Sequence, residues 1–386
     1  MEKSSSLKTS GEVIRCKAAL CRKAGEPLVI EEIQVAPPKA YEVRIKIICT
    51  SLCHTDVTFW KMDPPMGVFP RIFGHEAFGV VESVGEYVEE VKQGDRVVSV
   101  FIPHCKECAD CKSEKSNMCT IFPFRPPPGM PRDGTSRFMD SDGQVVHNFF
   151  RISTFVEYTV ADITQVVKIS HEITPEMACL LSCGVSTGIG AAWKVADVTK
   201  GSTVAIFGLG AVGLMVAEGA RVRGASKVIG VDLNPEKFEI GKKFGVTDFI
   251  NPNDYQEKAI CEVIKEMTEG GADFCFECIG LASLMNDAFN SCRWGWGKTI
   301  ILGVEMHGAP LAVNSYEILQ GKSIVGSLFG GIKPKLDIPL LVKSYIDKEF
   351  HINDIITHEV GFDDINQAFD LLAQGKSLRC IIWMDK

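Results

Sequence analysis

Residues 203–237 read TVAIFGLGAVGLMVAEGARVRGASKVIGVDLNPEK, and few folds can hold that string. Thr203–Phe207 is short, apolar and β-branched, the pattern of a strand buried in a parallel sheet. Gly208, Gly210 and Gly213 follow as G-x-G-x-x-G, with Leu209, Ala211 and Val212 between them. The pattern from 211 to about 223 predicts a helix, and Lys227–Val231 a second apolar strand with Asp232 at its end. Strand, glycine turn, helix and acid-tipped strand make a dinucleotide-binding unit in which each part has a physical task. Gly208 permits the tight turn, Gly210 removes the Cβ that would bar a pyrophosphate, and Gly213 brings the helix against the strand. Free N–H groups at the helix start, with the helix dipole, hold the phosphates. Asp232, nineteen residues beyond Gly213, is placed to accept hydrogen bonds from the adenosine ribose. It repels a 2′-phosphate, so NAD is expected over NADP.

A chain of 386 residues has room for two or three domains and an ample core. Its net charge of −8 argues against nucleic acid and anionic membrane surfaces as partners. The longest apolar run, 204–217, is the glycine-rich stretch and is too short to span a bilayer. The opening MEKSSS shows no apolar signal segment. Fifteen cysteines in such a chain point to metal ligands and free buried thiols before disulfides, and so to the reducing cytoplasm.

The N-terminal half differs in kind. Residues 1–11 are polar and Ser/Lys-rich, the composition of a loose tail. Short strands are expected over 14–33, divided by Gly25-Glu26-Pro27, and 43–48 (VRIKII) alternates as a half-buried strand does. CTSLCHTD at 49–56 and FGHEA at 73–77 offer Cys53 and His75 as candidate zinc ligands. A catalytic zinc takes three protein ligands and keeps one position open. Cys183, in LLSCGVSTGIGAAW, is a candidate third ligand, but spacing alone does not select it among fifteen cysteines. Cys105, Cys108, Cys111 and Cys119 follow C-x2-C-x2-C-x7-C, a specific pattern for a closed tetrahedral zinc site. Close C-x2-C spacings also occur around iron–sulfur clusters, although Thr120 rather than proline follows Cys119. Proline and glycine over 122–143 predict a loop or short hairpin, and FVEYTV at 155–160 a strand.

Beyond the glycine turn, strands and helices alternate. Phe249-Ile250, FCFECIG at 274–280 and TIILGV at 299–304 read as strands, with helices near 255–268 and 284–292. This predicts a doubly wound α/β sheet, and Ile279, Leu302 and Val304 fall at carboxyl ends of its strands, where such sheets take ligands. A helix near 365–373 and residues 379–383 close the chain.

SLCHTD, FPRIFGHEA, the four-cysteine lobe, STFVEYTV, LLSCGVSTGIGAAW, FGLGAVG and VDLNPEKFEIGKKFG together resemble the zinc-dependent medium-chain alcohol dehydrogenase family, particularly its plant members. The resemblance runs over 14–384. It implies an α/β chain in which a GroES-like β-rich catalytic domain (1–184 and 329–386) is interrupted by a Rossmann domain (185–328). By resemblance, Cys53, His75 and Cys183 hold a catalytic zinc with Glu76 beside it, and Cys105, Cys108, Cys111 and Cys119 a structural zinc, two ions per chain. Thr55 matches the hydroxyl that bonds the substrate oxygen. His54 and Arg379 match cofactor-phosphate contacts, Phe329 a further cofactor contact, and Asp232 and Lys237 the adenosine-ribose contacts. Phe101, Phe149 and Val304 match substrate-pocket positions. The implied activity is interconversion of alcohols with aldehydes or ketones using NAD(H), in a homodimer that pairs through IVGSLF at 324–329. A lyase on the same scaffold, cleaving for instance a hydroxynitrile with NAD as a structural group, is the alternative that the ligand set leaves open. Two places depart from the family. Three residues after Thr55 it carries His, or Tyr in plant members, at the end of a proton relay, and here stands Thr58. The loop 122–132, with Pro126-Pro127-Pro128, also differs, so substrate preference does not carry over.

Overall fold

The computed structural model describes residues 11–62, 67–124, 129–306 and 308–386, so Pro126-Pro127-Pro128 and positions 1–10 of the expected tail lie outside the described residues. The chain divides into two compact units. The first takes the described residues up to Cys183 with Lys333–Ile346 and Ile355–Lys386; the second takes Gly184–Ile332 and Asp347–Asp354.

The first unit is built round the strand Glu42–Leu52, longer and more buried than its local alternation suggests. One edge is covered in succession by two strands: Tyr158–Asp162 pairs its first half and Arg379–Trp383 its last residues. Glu76–Val84 runs antiparallel along the other edge. This register assembles the site. Ser51 stands opposite Glu76, and Leu52 opposite Cys380. The segments carrying Cys53, His75, Glu76 and Arg379 therefore converge at one end of the sheet. A second, antiparallel sheet runs in the order Arg71–Ile72, Ile14–Cys21, Val29–Val35, Phe138–Met139, Val145–Val146. Its last two strands are the short hairpin expected from the proline- and glycine-rich stretch.

In the second unit six parallel strands stand in the order 3-2-1-4-5-6 counted along the chain. They are Thr203–Phe207, Lys227–Val231, Asp248–Ile250, Phe274–Glu277, Lys298–Ile301 and Ser323–Gly326. Phe207, Ile229, Val231, Ile250, Ile264 and Ala288 are among the side chains of its core. The helix expected near 255–268 starts only at Ile260, because a short 3-10 turn, Pro252–Asp254, comes first. Residues 329–332 and 347–354 belong with this unit rather than with the flanking catalytic parts. The second stretch is tied there by Phe350, whose ring packs on Trp193, and by His351, whose N–H and Nδ1 meet the buried Glu218 carboxylate. All fifteen cysteines are free, and among the described residues no helix is long and apolar enough to cross a membrane.

Candidate metal centres and cofactor cradle

Cys53 is the first residue after Glu42–Leu52 and precedes the helix His54–Trp60. Glu76 opens the neighbouring strand with His75 just before it, and Cys183 lies in the turn after the helix Pro175–Leu180. Their ligand atoms all fall within 4.8 Å of one another, and all four residues are buried. Sulfur and nitrogen atoms about 2.0–2.3 Å from one zinc ion stand at such separations. Cys53 takes a hydrogen bond from Cys183 and faces Arg379 and His75, which holds its thiol well below the usual range; Cys183, the donor, is held above it. A divalent cation held here would favour the thiolate form of both sulfurs. The donor set fits zinc.

The residues behind this cage explain its orientation. Asp56, fully buried, accepts the Cys53 and Gly74 N–H groups at 3.0 and 3.1 Å and holds His75 Nδ1 at 3.0 Å. The Nδ1 contact leaves Nε2 as the ligating nitrogen, the usual arrangement of a metal-bound histidine. Sequence reasoning gave Asp56 no role. Its signal was only an acid three residues after Cys53 at a helix start, which reads as a capping pattern. Arg379, expected on the cofactor phosphates, is 5% exposed and donates from Nε and Nη2 to both Glu76 oxygens at 3.1 and 3.0 Å. Its Nη2 also lies 3.6 Å from Cys53 Sγ. Burial lifts the Glu76 carboxyl to about 7 against the pull of this guanidinium.

The rings of Phe101 and Phe149 stand 5.9 and 5.8 Å from the His75 ring, and Phe150 joins them at 5.6 Å. Thr55 sits in the first turn of His54–Trp60, half-buried, beside the exposed His54. Thr58 donates its hydroxyl to the His54 carbonyl at 3.0 Å and lies 3.5 Å from His54 Nδ1. That back-bond to the preceding turn commits the hydroxyl proton locally.

Cys105, Cys108, Cys111 and Cys119 form a second cage with sulfurs within 4.8 Å of one another. Backbone N–H groups point at its sulfurs: Cys108 to Cys105 Sγ, Cys111 to Cys108 Sγ and Phe122 to Cys119 Sγ, each at 3.3 Å. Against the effect of partial burial, such bonds from Cys111 and Thr120 hold the Cys108 thiol down to about 6. Four convergent sulfurs without an open side fit a structural zinc.

In the second unit Gly210 begins the helix Ala211–Val222, and no atom stands within 4 Å of where its Cβ would be, so a phosphate can approach the backbone. A Cβ on Gly213 would lie 1.9 Å from the Gly208 carbonyl oxygen. Asp232 already accepts Leu209 N–H at 2.8 Å, Lys237 Nζ at 3.0 Å and Asn234 N–H at 2.9 Å. A carboxylate offers about four acceptor sites, so one remains for a ribose hydroxyl. The cradle fits a dinucleotide. Ile279 and Val304 are about half exposed past the ends of their strands, with Leu302 partly buried between. Phe329, expected to touch the cofactor, is buried, with a left-handed φ of 53° and its carbonyl taken by the Ile332 N–H at 3.0 Å.

Residues 39–171 match the model of the alcohol dehydrogenase GroES-like domain, and residues 211–347 that of the zinc-binding dehydrogenases. Over 380 residues the chain is 64% identical to alcohol dehydrogenase-like 2 of Arabidopsis thaliana, with 98% of each chain covered. It is 51% identical over 378 residues to alcohol dehydrogenase 1 of Petunia hybrida, covering 98% of this chain and 99% of that one. Among solved structures, benzyl alcohol dehydrogenase of Acinetobacter calcoaceticus superimposes with a TM-score of 0.87 at 29% identity, covering 96% of this chain and 99% of that one.

Proposed function

The chain belongs to the zinc-dependent medium-chain alcohol dehydrogenase family, and from that premise we propose that it interconverts alcohols with aldehydes or ketones using NAD(H) and two zinc ions. The carrying observation is the buried convergence of Cys53, His75 and Cys183, with Glu76 beside them and both of its oxygens bonded by Arg379. Zinc held there supplies a Lewis acid for the substrate oxygen. NAD supplies the hydride acceptor, and the chain orients it. Thr55 Oγ1 accepts the substrate hydroxyl proton and hands it on. Thr58, already bonded to His54, does not titrate near neutrality, so water finishes the path. The rings of Phe101, Phe149 and Phe150 exclude bulk water around His75. Asp232 selects NAD against NADP by repelling a 2′-phosphate, with Lys237 beside it on the adenosine side.

A homodimer and a cytoplasmic setting are part of the same reading. Support for the first is that Ser323–Gly326 ends the six-stranded sheet, with Trp294, Tyr316 and Leu319 all exposed by more than half. Free cysteines support the second. The lyase alternative draws no support from relatives named as alcohol dehydrogenases. A panel of primary alcohols with NAD and with NADP, followed by reduced-cofactor absorbance, tests the proposal. NADH should form, with NADP used at least roughly tenfold less efficiently. Equal efficiency with both cofactors overturns the NAD assignment, and turnover of a hydroxynitrile with no NADH signal overturns the redox assignment in favour of a lyase.

A further inference from the structure

Glu277 is the last residue of the strand Phe274–Glu277 and is fully buried. Its Oε1 accepts the N–H groups of Ile279 at 2.9 Å and Gly280 at 2.7 Å. Its Oε2 is buried and makes no hydrogen bond of good geometry, although the Leu281 and Gly303 N–H groups also act on the carboxyl, and among the described residues no cation pairs with it. Its carbonyl oxygen takes the N–H groups of Leu302 at 2.9 Å and Gly303 at 3.0 Å. One residue thus ties together the loops after two adjacent strands.

The clearances around it are narrow. A Cβ on Gly303 would lie 2.1 Å from Gly280 N and 2.4 Å from Glu277 Oε2; a Cβ on Gly280, whose φ is +97°, would lie 2.6 Å from the Val304 oxygen. The Ile279 side chain in turn packs over Gly208, where a Cβ would come within 2.6 Å of Ile279 Cγ1. The two loops therefore meet in backbone contact and the Ile279 side chain closes over the glycine turn, with the Glu277 carboxyl as the side-chain acceptor at the junction. Ile279, Leu302 and Val304 all hang from that junction.

We infer that Glu277 is a positioning residue for the cofactor: through its two N–H bonds and its carbonyl it fixes the loops 278–280 and 302–304 against the glycine turn in the shape that receives NAD(H). The inference rests on the reading that this unit binds NAD(H). Glu277→Gln keeps an acceptor for the two N–H groups, whereas Glu277→Asp withdraws it by about 1.5 Å while keeping the charge. Both variants and the wild type, loaded with zinc, are titrated with NADH by fluorescence, and KM is measured for NAD and for alcohol. Glu277→Asp should raise the NADH dissociation constant and KM for NAD by about tenfold, with KM for alcohol and zinc content within about twofold. Glu277→Gln should stay within about threefold of the wild type. A merely structural role would lower the melting temperature of both variants and leave NADH affinity of the folded protein unmoved, which would overturn the inference. A loss in Glu277→Gln as large as in Glu277→Asp would also overturn it. Wild-type protein that bound no NADH would instead bring down the cofactor reading first, and this inference with it.

Discussion

The two cysteine-containing cages bind with similar atoms and are built in opposite ways. The four-cysteine lobe takes every ligand from positions 105–119 and dresses its sulfurs with its own backbone N–H groups. The other cage gathers Cys53, His75, Glu76 and Cys183 from separate elements and is oriented by side chains, Asp56 and Arg379. Two cysteines of the lobe are partly exposed, and every residue of the other cage is buried. A locally closed set of like ligands can only hold its ion, so its binding free energy is spent on folding. A mixed set assembled by tertiary structure can leave one position open and have its ligands tuned from behind.

Single substitutions should separate the two. Cys183→Ala is expected to lose one zinc per chain and about 10³-fold or more in turnover, with a small change in melting temperature. Cys111→Ala should do the reverse, lowering the melting temperature by roughly 10 °C or more while the folded fraction keeps the other zinc. Metal analysis beside calorimetry reads both, and a larger loss of stability in Cys183→Ala would break the comparison. Asp56→Ala should weaken zinc retention at the buried cage by about 10- to 100-fold and leave the lobe filled. Competition with a chelator, followed by metal counting, measures that difference; equal release from both cages would refute it. The smallest effect concerns the proton, which only the buried cage has to move. Thr58→His should raise alcohol oxidation near neutral pH by about fivefold, short of the roughly 100-fold of a fully used general acid–base group. It should also reduce any rescue by imidazole buffer. Stopped-flow rates indifferent to buffer and to the substitution would show that proton exit never limits turnover.

The same contrast explains what the sequence discloses. The glycine turn, Asp232 and the C-x2-C-x2-C-x7-C lobe are local, so spacing alone makes them readable. Cys183 is not: its approach to Cys53 depends on how the helix Pro175–Leu180 packs on the central strands, and only family resemblance singled it out. The strand at 43–48 looked half-buried because alternation reports one strand's faces and not its neighbours. One partner far away in the chain pairs its edge over 42–46, and a second takes over along the continuation at 49–52. Arg379 carries no local mark of its pairing with Glu76. That pairing follows from the register of the last strand against Leu52, which no window of sequence contains. Asp56 has no distinguishing local mark either, because its bond to His75 Nδ1 exists only once the neighbouring strand is in place.

The closing strand Arg379–Trp383 has a consequence for synthesis. It pairs with Cys49–Leu52 on one side and with Ile356–Gly361 on the other, so the first unit's main sheet stays open until residues 379–383 have been made. Cys53, His75 and Cys183 are all made long before Arg379 arrives to take up Glu76. The second unit needs only one stretch, Gly184–Ile332, and the short return Asp347–Asp354. Because domains fold as units while the chain emerges, the second unit can close once Asp354 is made, whereas the first, though it takes the earlier residues, waits for Arg379–Trp383.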